Sequence, residues 1–367
     1  VRPPDSRLKR REALFLLLLV ASASILFARP AEHLLQMGDS SIYPNTASKL
    51  INTGGLVYHY GPLDGLSARQ KELFYVPAAE QLSYIEIQSY EGLLYGAYYV
   101  MEPAENTIVS SRPPLAVVWM GLFGLLGGQR AMLYVTPLFG IASLLAIYFL
   151  GRRLFDPGAG ALAALWLLLS FPQSHFSRAP YAEVVGQFFV LVAVYAFVVY
   201  LQRARRGTIP LGVAALTAGF AARLDVILLI PVLLLFALLL LLRRDGRGLV
   251  ACAISVLIGL GFTLWTVNRP YVGATGELVL RGQLRFLRQV NPYVLAAIGL
   301  AGALSLMGLA RLLSCLSPDR RWALAHWAVL IVVVAGVGYA LHIRPRHPEF
   351  VTVGEKTIAT HNEELMA

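Results

Sequence analysis

The chain is divided into apolar stretches long enough to cross a lipid bilayer, and this limits what it can fold into. A helix rises 1.5 Å per residue, so about 20 consecutive apolar residues are needed to span the hydrocarbon core. Glu12 to Ala28 is apolar after its first residue and follows a basic start, Arg2 to Arg11. A signal peptide has a similar shape. However, no small-residue cleavage site follows and more spans come later, so the stretch reads as the first transmembrane helix. Further spans are expected at about 131–150, 158–176, 183–201, 209–222, 225–242, 249–267, 293–313 and 322–341. Composition agrees: 57% of the residues are hydrophobic and 14% charged, with a mean hydropathy of +0.63. Soluble domains lie nearer 45–50% apolar and roughly 25% charged. Backbone polar groups in lipid must be satisfied within their own segment. The predicted fold class is therefore all-α, a polytopic transmembrane helical bundle of about nine spans.

Residues 29–130 differ in character. They hold nine acidic residues, many tyrosines and the turn signals Gly54-Gly55 and Gly61-Pro62. The segment is too polar to cross a membrane and too rich in Tyr, Leu and Ile to be a loose linker. It reads as an ordered external loop of amphipathic helices lying against the membrane. Its last part, Pro114 to Gly127, is apolar but 14 residues long, which suits an interfacial or re-entrant helix. The expected domains are thus 1–28, a cytoplasmic start and first span; 29–130, the external loop; 131–341, the helical bundle; and 342–367, an external tail that begins a further region.

The net charge is +10. Most of it sits in short basic clusters beside apolar runs, and no basic-aromatic module appears, so nucleic acid is excluded as a partner. If the N-terminus is cytoplasmic and 114–127 does not cross, Arg152-Arg153, Arg203, Arg205, Arg206, Arg243, Arg244, Arg247, Arg311, Arg320 and Arg321 all face inward. That is the arrangement the positive-inside rule favours. Cys252 and Cys315 have neither CxxC nor His spacing, so no disulfide framework or zinc site is implied.

On the outer side this topology gathers a set of polar residues. Asp39 lies in MGDSSIYPNTASKLINTGG, about ten residues past the first span, where it can act as a general base or cap a helix. Tyr43 follows one helical turn later. Arg112 precedes Pro113-Pro114 and can grip a phosphate or snorkel to headgroups. Arg178, Tyr181 and Glu183 cluster in SRAPYAEVVGQFF; Glu183 also suits a helix dipole. Arg223 and Asp225 interrupt GFAARLDVILLIP, either as an internal ion pair or facing a substrate phosphate. Two acids and three arginines on one membrane face suit an anionic lipid head attacked by an acceptor.

Four stretches, GDSSIYPNTASKLINTGG, SRPPLAVVWMGLFGLLGG, SRAPYAEVVGQFF and GFAARLDVILLIP, span about residues 10–245. In order and spacing they resemble the GT-C superfamily of polyprenyl-phosphate-sugar glycosyltransferases, which includes the protein O-mannosyltransferases and the aminoarabinose transferases of lipid A. The resemblance implies that Asp39 is the base that deprotonates the acceptor. It implies that Arg112 and Arg223 contact the donor phosphate, with Arg178 counted beside them. Glu183 matches an acid, usually Asp, at the outer end of a span, and Tyr43 and Tyr181 join it as substrate-binding candidates. Many members carry Asp-Glu in the first loop and some an acid before the basic-proline pair. Ser40 and Ser111 stand there in this chain. No cofactor is therefore certain; a divalent metal stays open, with Glu102 and Glu105 as weak candidate ligands.

The implied reaction moves a sugar from a polyprenyl or dolichyl phosphate to an acceptor hydroxyl on a protein, lipid or glycan, with inversion at the anomeric carbon. No Gly-rich phosphate loop is present, which agrees with a lipid-linked donor. The expected location is the plasma membrane of a prokaryote rather than the endoplasmic reticulum, with the site on the non-cytoplasmic side. Three other readings stay open: a transporter or flippase of lipid-linked substrates, an oligosaccharide ligase or polymerase, and a non-catalytic scaffold in which Asp39 only caps a helix.

Overall fold

The computed structural model describes residues 9–31, 39–71, 75–77, 92–94, 98–102, 104–110, 112–205, 207–267, 349–353 and 356–360 of the chain. Two compact units divide it. The first comprises residues 1–78 and 87–279, the second 79–86 and 280–367. In the second unit the described part is one antiparallel hairpin, β6 (Glu349–Val353) with β7 (Lys356–Thr360). The spans expected at 293–313 and 322–341, and the loop 268–292, lie outside the described residues.

The first unit is mostly helical. Helix α1 (Arg10–Phe27) and α2 (Asp39–Thr53) come first. After a small sheet, the bundle follows: α4 (Pro114–Met132), α5 (Val135–Leu154), α6 (Pro157–Leu169), α7 (Phe171–Arg178), α8 (Glu183–Arg203), α9 (Thr208–Ala222), α10 (Ile230–Leu242) and α11 (Gly246–Val267). Among the described residues four stretches are long and apolar enough to cross a membrane: Pro114–Met132, Val135–Leu154, Glu183–Arg203 and Gly246–Thr263. Large apolar side chains such as Leu126, Trp166, Leu169 and Ile258 stand on the surface, where lipid rather than water accounts for them. The chain is an integral membrane protein.

Two expected spans have different inner structure. The 158–176 stretch is two helices, because Ser170 is extended (φ −71°, ψ 132°) and Pro172 restarts the helix in its first turn. Proline is tolerated there, where no intrahelical N–H is needed. The 225–242 stretch opens with a 3₁₀ segment, Leu224–Leu229, before α10 begins. Helix α4 runs past the expected 14 residues to Met132, but through a kink. Gly127 and Gly128 leave helical geometry, and Gly128 takes φ 71°, ψ −169°, a region open to a residue without Cβ.

The expectation of an all-α chain is corrected between α2 and α4. Strands β1 (Val57–His59), β2 (Tyr75–Pro77), β3 (Gly92–Leu94), β4 (Tyr98–Glu102) and β5 (Thr107–Ser110) form a five-stranded antiparallel sheet in the order β1-β5-β4-β3-β2. Among the described residues between β1 and β2 the helical pieces are a single 3₁₀ turn, Gly61–Leu63, and the four-residue α3 (Ala68–Lys71). The strands are rich in Val, Ile, Tyr and Thr, which fit a pleated surface. They are three to five residues long, too short for alternation to show in the sequence.

The sheet is tied to α2. Thr46, fully buried on α2, shares a hydrogen bond with the Tyr98 hydroxyl at 3.3 Å. Tyr98 meets Tyr58 edge to face, and the Lys49 Nζ sits 5.5 Å over the Tyr58 ring. Asn106, in the turn before β5, holds a left-handed conformation (φ 52°) that Asn tolerates. It donates from Nδ2 to the Asp64 carboxylate at 2.7 Å.

Candidate active site

A single apolar cluster gathers the candidate residues. It joins Tyr43 and Ala47 of α2, Ala116, Val117 and Met120 of α4, Val135 and Phe139 of α5, Ala182, Val184 and Val185 around the start of α8, and Ala222 at the end of α9. These neighbours bracket Glu183 and Arg223 in the sequence, so packing of apolar side chains sets the polar ones. The stretch of α2 around Tyr43 and Ala47, the first turns of α4 and α8 and the last turn of α9 therefore meet at one end of the bundle.

Arg223 is the centre of the polar group. Its Nε donates to Asp225 Oδ1 at 3.0 Å and its Nη2 to Asp225 Oδ2 at 2.9 Å, a bidentate pairing. Its Nη1 donates to Glu183 Oε1. One guanidinium is thus held between two carboxylates, Asp225 and Glu183. The ion-pair alternative for Arg223 and Asp225 is thus present, with Glu183 as a third member. The Glu183 Oε2 is buried and finds no hydrogen-bond partner among the described residues. An acceptor left in that state is costly unless a donor reaches it.

Gly186, one turn after Glu183, lets the Arg223 stem lie flat on α8. A Cβ there would stand 3.4 Å from Arg223 Cδ and 3.5 Å from Cγ. In the sequence this glycine is marked only by its spacing of three from Glu183. Tyr43 is 4% exposed and close enough to bear on the Arg223 charge.

The other candidates take these places. Asp39 is the first residue of α2, one turn before Tyr43, so along the helix the two are about 6 Å apart. Arg112 is half-buried two residues before α4, with its backbone N–H on the buried Ser110 hydroxyl at 3.2 Å. Pro113 is the extended cap and Pro114 the first helical residue. Arg178 is exposed at the end of α7 and donates from Nε to the Arg29 carbonyl at 3.1 Å, while Ala31 N–H bonds the Arg178 carbonyl. It therefore fastens the chain leaving α1. Tyr181 packs against His175 at a tilt and meets Phe176 edge to face. Glu102 ends β4 opposite Thr107, and Glu105 is exposed in the turn, its carbonyl bonded to His59. Among the described residues no three His, Cys, Asp or Glu side chains gather as a metal site.

No curated protein matches the chain. Among solved structures it is similar to the archaeal oligosaccharyltransferase AglB from Archaeoglobus fulgidus, in complex with an inhibitory peptide and a dolichol-phosphate. The identity is 15% and the TM-score 0.48, with 97% of this chain and 43% of that one covered. The chain thus spans less than half the length of that neighbour. Residues 111–267, which contain Arg112, Glu183 and Arg223, match the family model of dolichyl-phosphate-mannose-protein mannosyltransferases. Over that segment the resemblance to GT-C glycosyltransferases read from the sequence holds.

Proposed function

We propose that this chain is the membrane part of a glycosyltransferase that takes a sugar from a polyprenyl or dolichyl phosphate and passes it to an acceptor hydroxyl. The observation that carries the reading is the Arg223 cluster. A guanidinium is fixed by Glu183 and Asp225 beside Tyr43, in the segment whose sequence matches the mannosyltransferase model. Asp225 is the more exposed of the two carboxylates. It is the partner that a donor phosphate would displace while Glu183 keeps the guanidinium aimed.

The chemistry then follows. The acceptor oxygen attacks the anomeric carbon, the bond from that carbon to the phosphate oxygen breaks, and the phosphate leaves with the electron pair. Arg223 and Arg112 stabilise the charge that develops on it, an effect that grows when water is excluded. The acceptor proton goes to Asp39. One displacement inverts the anomeric centre. Glu183, Tyr43 and Tyr181 orient substrate, and Arg178 supports the rim by holding residue 29. The acceptor is a protein, lipid or glycan hydroxyl at the non-cytoplasmic face of a prokaryotic plasma membrane.

The test is transfer by the full-length protein from a panel of polyprenyl-phosphate sugars, with Asp39→Asn and Arg223→Gln beside wild type. General-base loss lowers turnover by about 10²–10⁴-fold. Turnover that survives Asp39→Asn would remove the base assignment. Donor movement across the membrane without transfer would favour a flippase.

A further inference from the structure

The end of the bundle opposite Glu183 and Arg223 carries a second concentration of charge. Glu183 and Arg203 stand at the two ends of the 21-residue helix α8, about 30 Å apart at 1.5 Å per residue. The two groups are therefore separate sites. Arg152 and Arg153 lie in the last turn of α5, Arg203 ends α8, and Arg205 follows it. Arg152 faces Glu12 at 3.0 Å. Arg153 has no such arrangement. It is 8% exposed, and its Nε and Nη2 are buried without a hydrogen-bond partner among the described residues. The charged groups that bear most on it are Arg203, Arg205 and Arg152, all cations. A guanidinium withdrawn from water and surrounded by like charge is unfavourable unless an anion accompanies it.

An apolar groove leads to this cluster. Helices α5 and α8 leave an open cavity of about 380 Å³, walled by Ala142, Ala146 and Phe149 on one side and Phe188, Val192 and Tyr195 on the other. Ala142, Ala146, Phe149 and Arg153 recur at spacings of three and four, which puts them on one face of α5. The groove wall thus continues along that face to Arg153. Tyr195 belongs to both features, lining the groove and neighbouring Arg153.

We propose that this is a binding site for an anionic phospholipid, with an acyl chain in the α5/α8 groove and the phosphodiester among Arg153, Arg203 and Arg205. The shape takes an apolar chain and the charge takes a net-negative head. A zwitterionic lipid would bring an ammonium group against three cations. Basic pockets between transmembrane helices recognise anionic head groups in this way, and each arginine is worth about fivefold in affinity.

The test is native mass spectrometry of the full-length protein in detergent, equilibrated with equal amounts of phosphatidylglycerol and phosphatidylcholine. Wild type is expected to retain phosphatidylglycerol preferentially. Arg153→Gln should lower that preference about fivefold, and Arg203→Gln with Arg205→Gln by more. Val192→Trp, which fills the groove and keeps every charge, should lower total lipid retention; it also keeps the proposal testable if Arg153→Gln fails to fold. Arg69→Gln, on exposed α3 in the sheet region, should change nothing. Equal retention of both lipids by wild type would overturn the proposal. So would an unchanged preference in the arginine variants, or displacement of phosphatidylglycerol by equimolar undecaprenyl phosphate.

Discussion

Replacing Glu12 by Gln should destabilise the bundle by about 3–5 kcal/mol, the cost of breaking a buried pair from one side. Glu12 begins α1 and Arg152 lies in the last turn of α5; their charged atoms are 3.0 Å apart and their side chains are 9% and 11% exposed. The Nε–Oε2 approach lies outside hydrogen-bond geometry, so between these two atoms the attraction is one of charge. Coulomb's law at that distance, with an effective dielectric of about 20, gives about 5 kcal/mol before desolvation is subtracted. An uncharged amide therefore cannot stand in, although its size is right. The assay is a double-mutant cycle by reversible SDS-titrated unfolding, with Glu12→Gln, Arg152→Gln and both together. The double variant should be more stable than the sum of the single losses implies, with a coupling of about 1–3 kcal/mol. Single variants within about 1 kcal/mol of wild type, or strictly additive losses, would show that the pair behaves as an exposed one and refute the reasoning.

Other outcomes follow from the site and the sheet. Gly186→Ala should be tolerated, because its Cβ makes ordinary contact with Arg223. Gly186→Leu should push the guanidinium off Glu183 and abolish transfer while expression holds, read by activity beside thermal unfolding. Both ring nitrogens of His59 sit against acceptors, Glu105 O at 2.6 Å and Asp64 Oδ2 at 2.7 Å, which requires the doubly protonated ring. The Asp64 bond raises the His59 proton affinity, and the His59 bond lowers that of Asp64. The histidine's contribution is full below its ordinary value near 6.5 and is lost as pH rises through the raised one. The aspartate's is lost as pH falls through its depressed one. The protection of β1 and β5 amides, exchange measured against the intrinsic rate at each pH, should therefore fall between mildly acidic and alkaline pH, and His59→Ala should remove that fall. Asn106→Ala should cost about 1–3 kcal/mol by leaving a left-handed residue and the Asp64 oxygen unsupported. Asn106→Gly should recover the backbone part, read by sheet proteolysis.

What the sequence reveals here depends on the length of each signal. Helices α5, α8, α9 and α11 begin within about four residues of their expected starts because apolar runs persist over many turns. The sheet was hidden because among the described residues no strand exceeds five residues, which is too little for a period of two to stand out from a tyrosine-rich background. The break at Arg223 was legible as the Arg-Leu-Asp interruption, whereas the break at Ser170, written in Pro172, and the 3₁₀ opening at Leu224–Leu229 were masked by continuous hydropathy. In the site, Glu183, Arg223 and Asp225 were visible as charges out of place in apolar sequence. That the three form one ion cluster depends on a small residue at 186 and on packing between α8 and α9, which no linear pattern carries. Asp39 was marked by its position after the first span, and it opens α2.

Helix α9 has 15 residues and ends at Ala222, directly before Arg223. At 1.5 Å per residue it rises about 22 Å, some 8 Å less than the roughly 30 Å hydrocarbon layer. A cylinder that short leaves the annular lipid around it stretched too thin to keep its full depth. A bilayer that this helix crossed would have to dimple, or admit a finger of water, at the helix end. The Arg223 side chain next to it lies along the first turn of α8, its stem against Gly186 and its Nη1 on Glu183, and so would stand at the floor of such a depression. An anionic head drawn down to meet it would shed part of its hydration on the way, while its hydrocarbon tail stayed in the surrounding lipid.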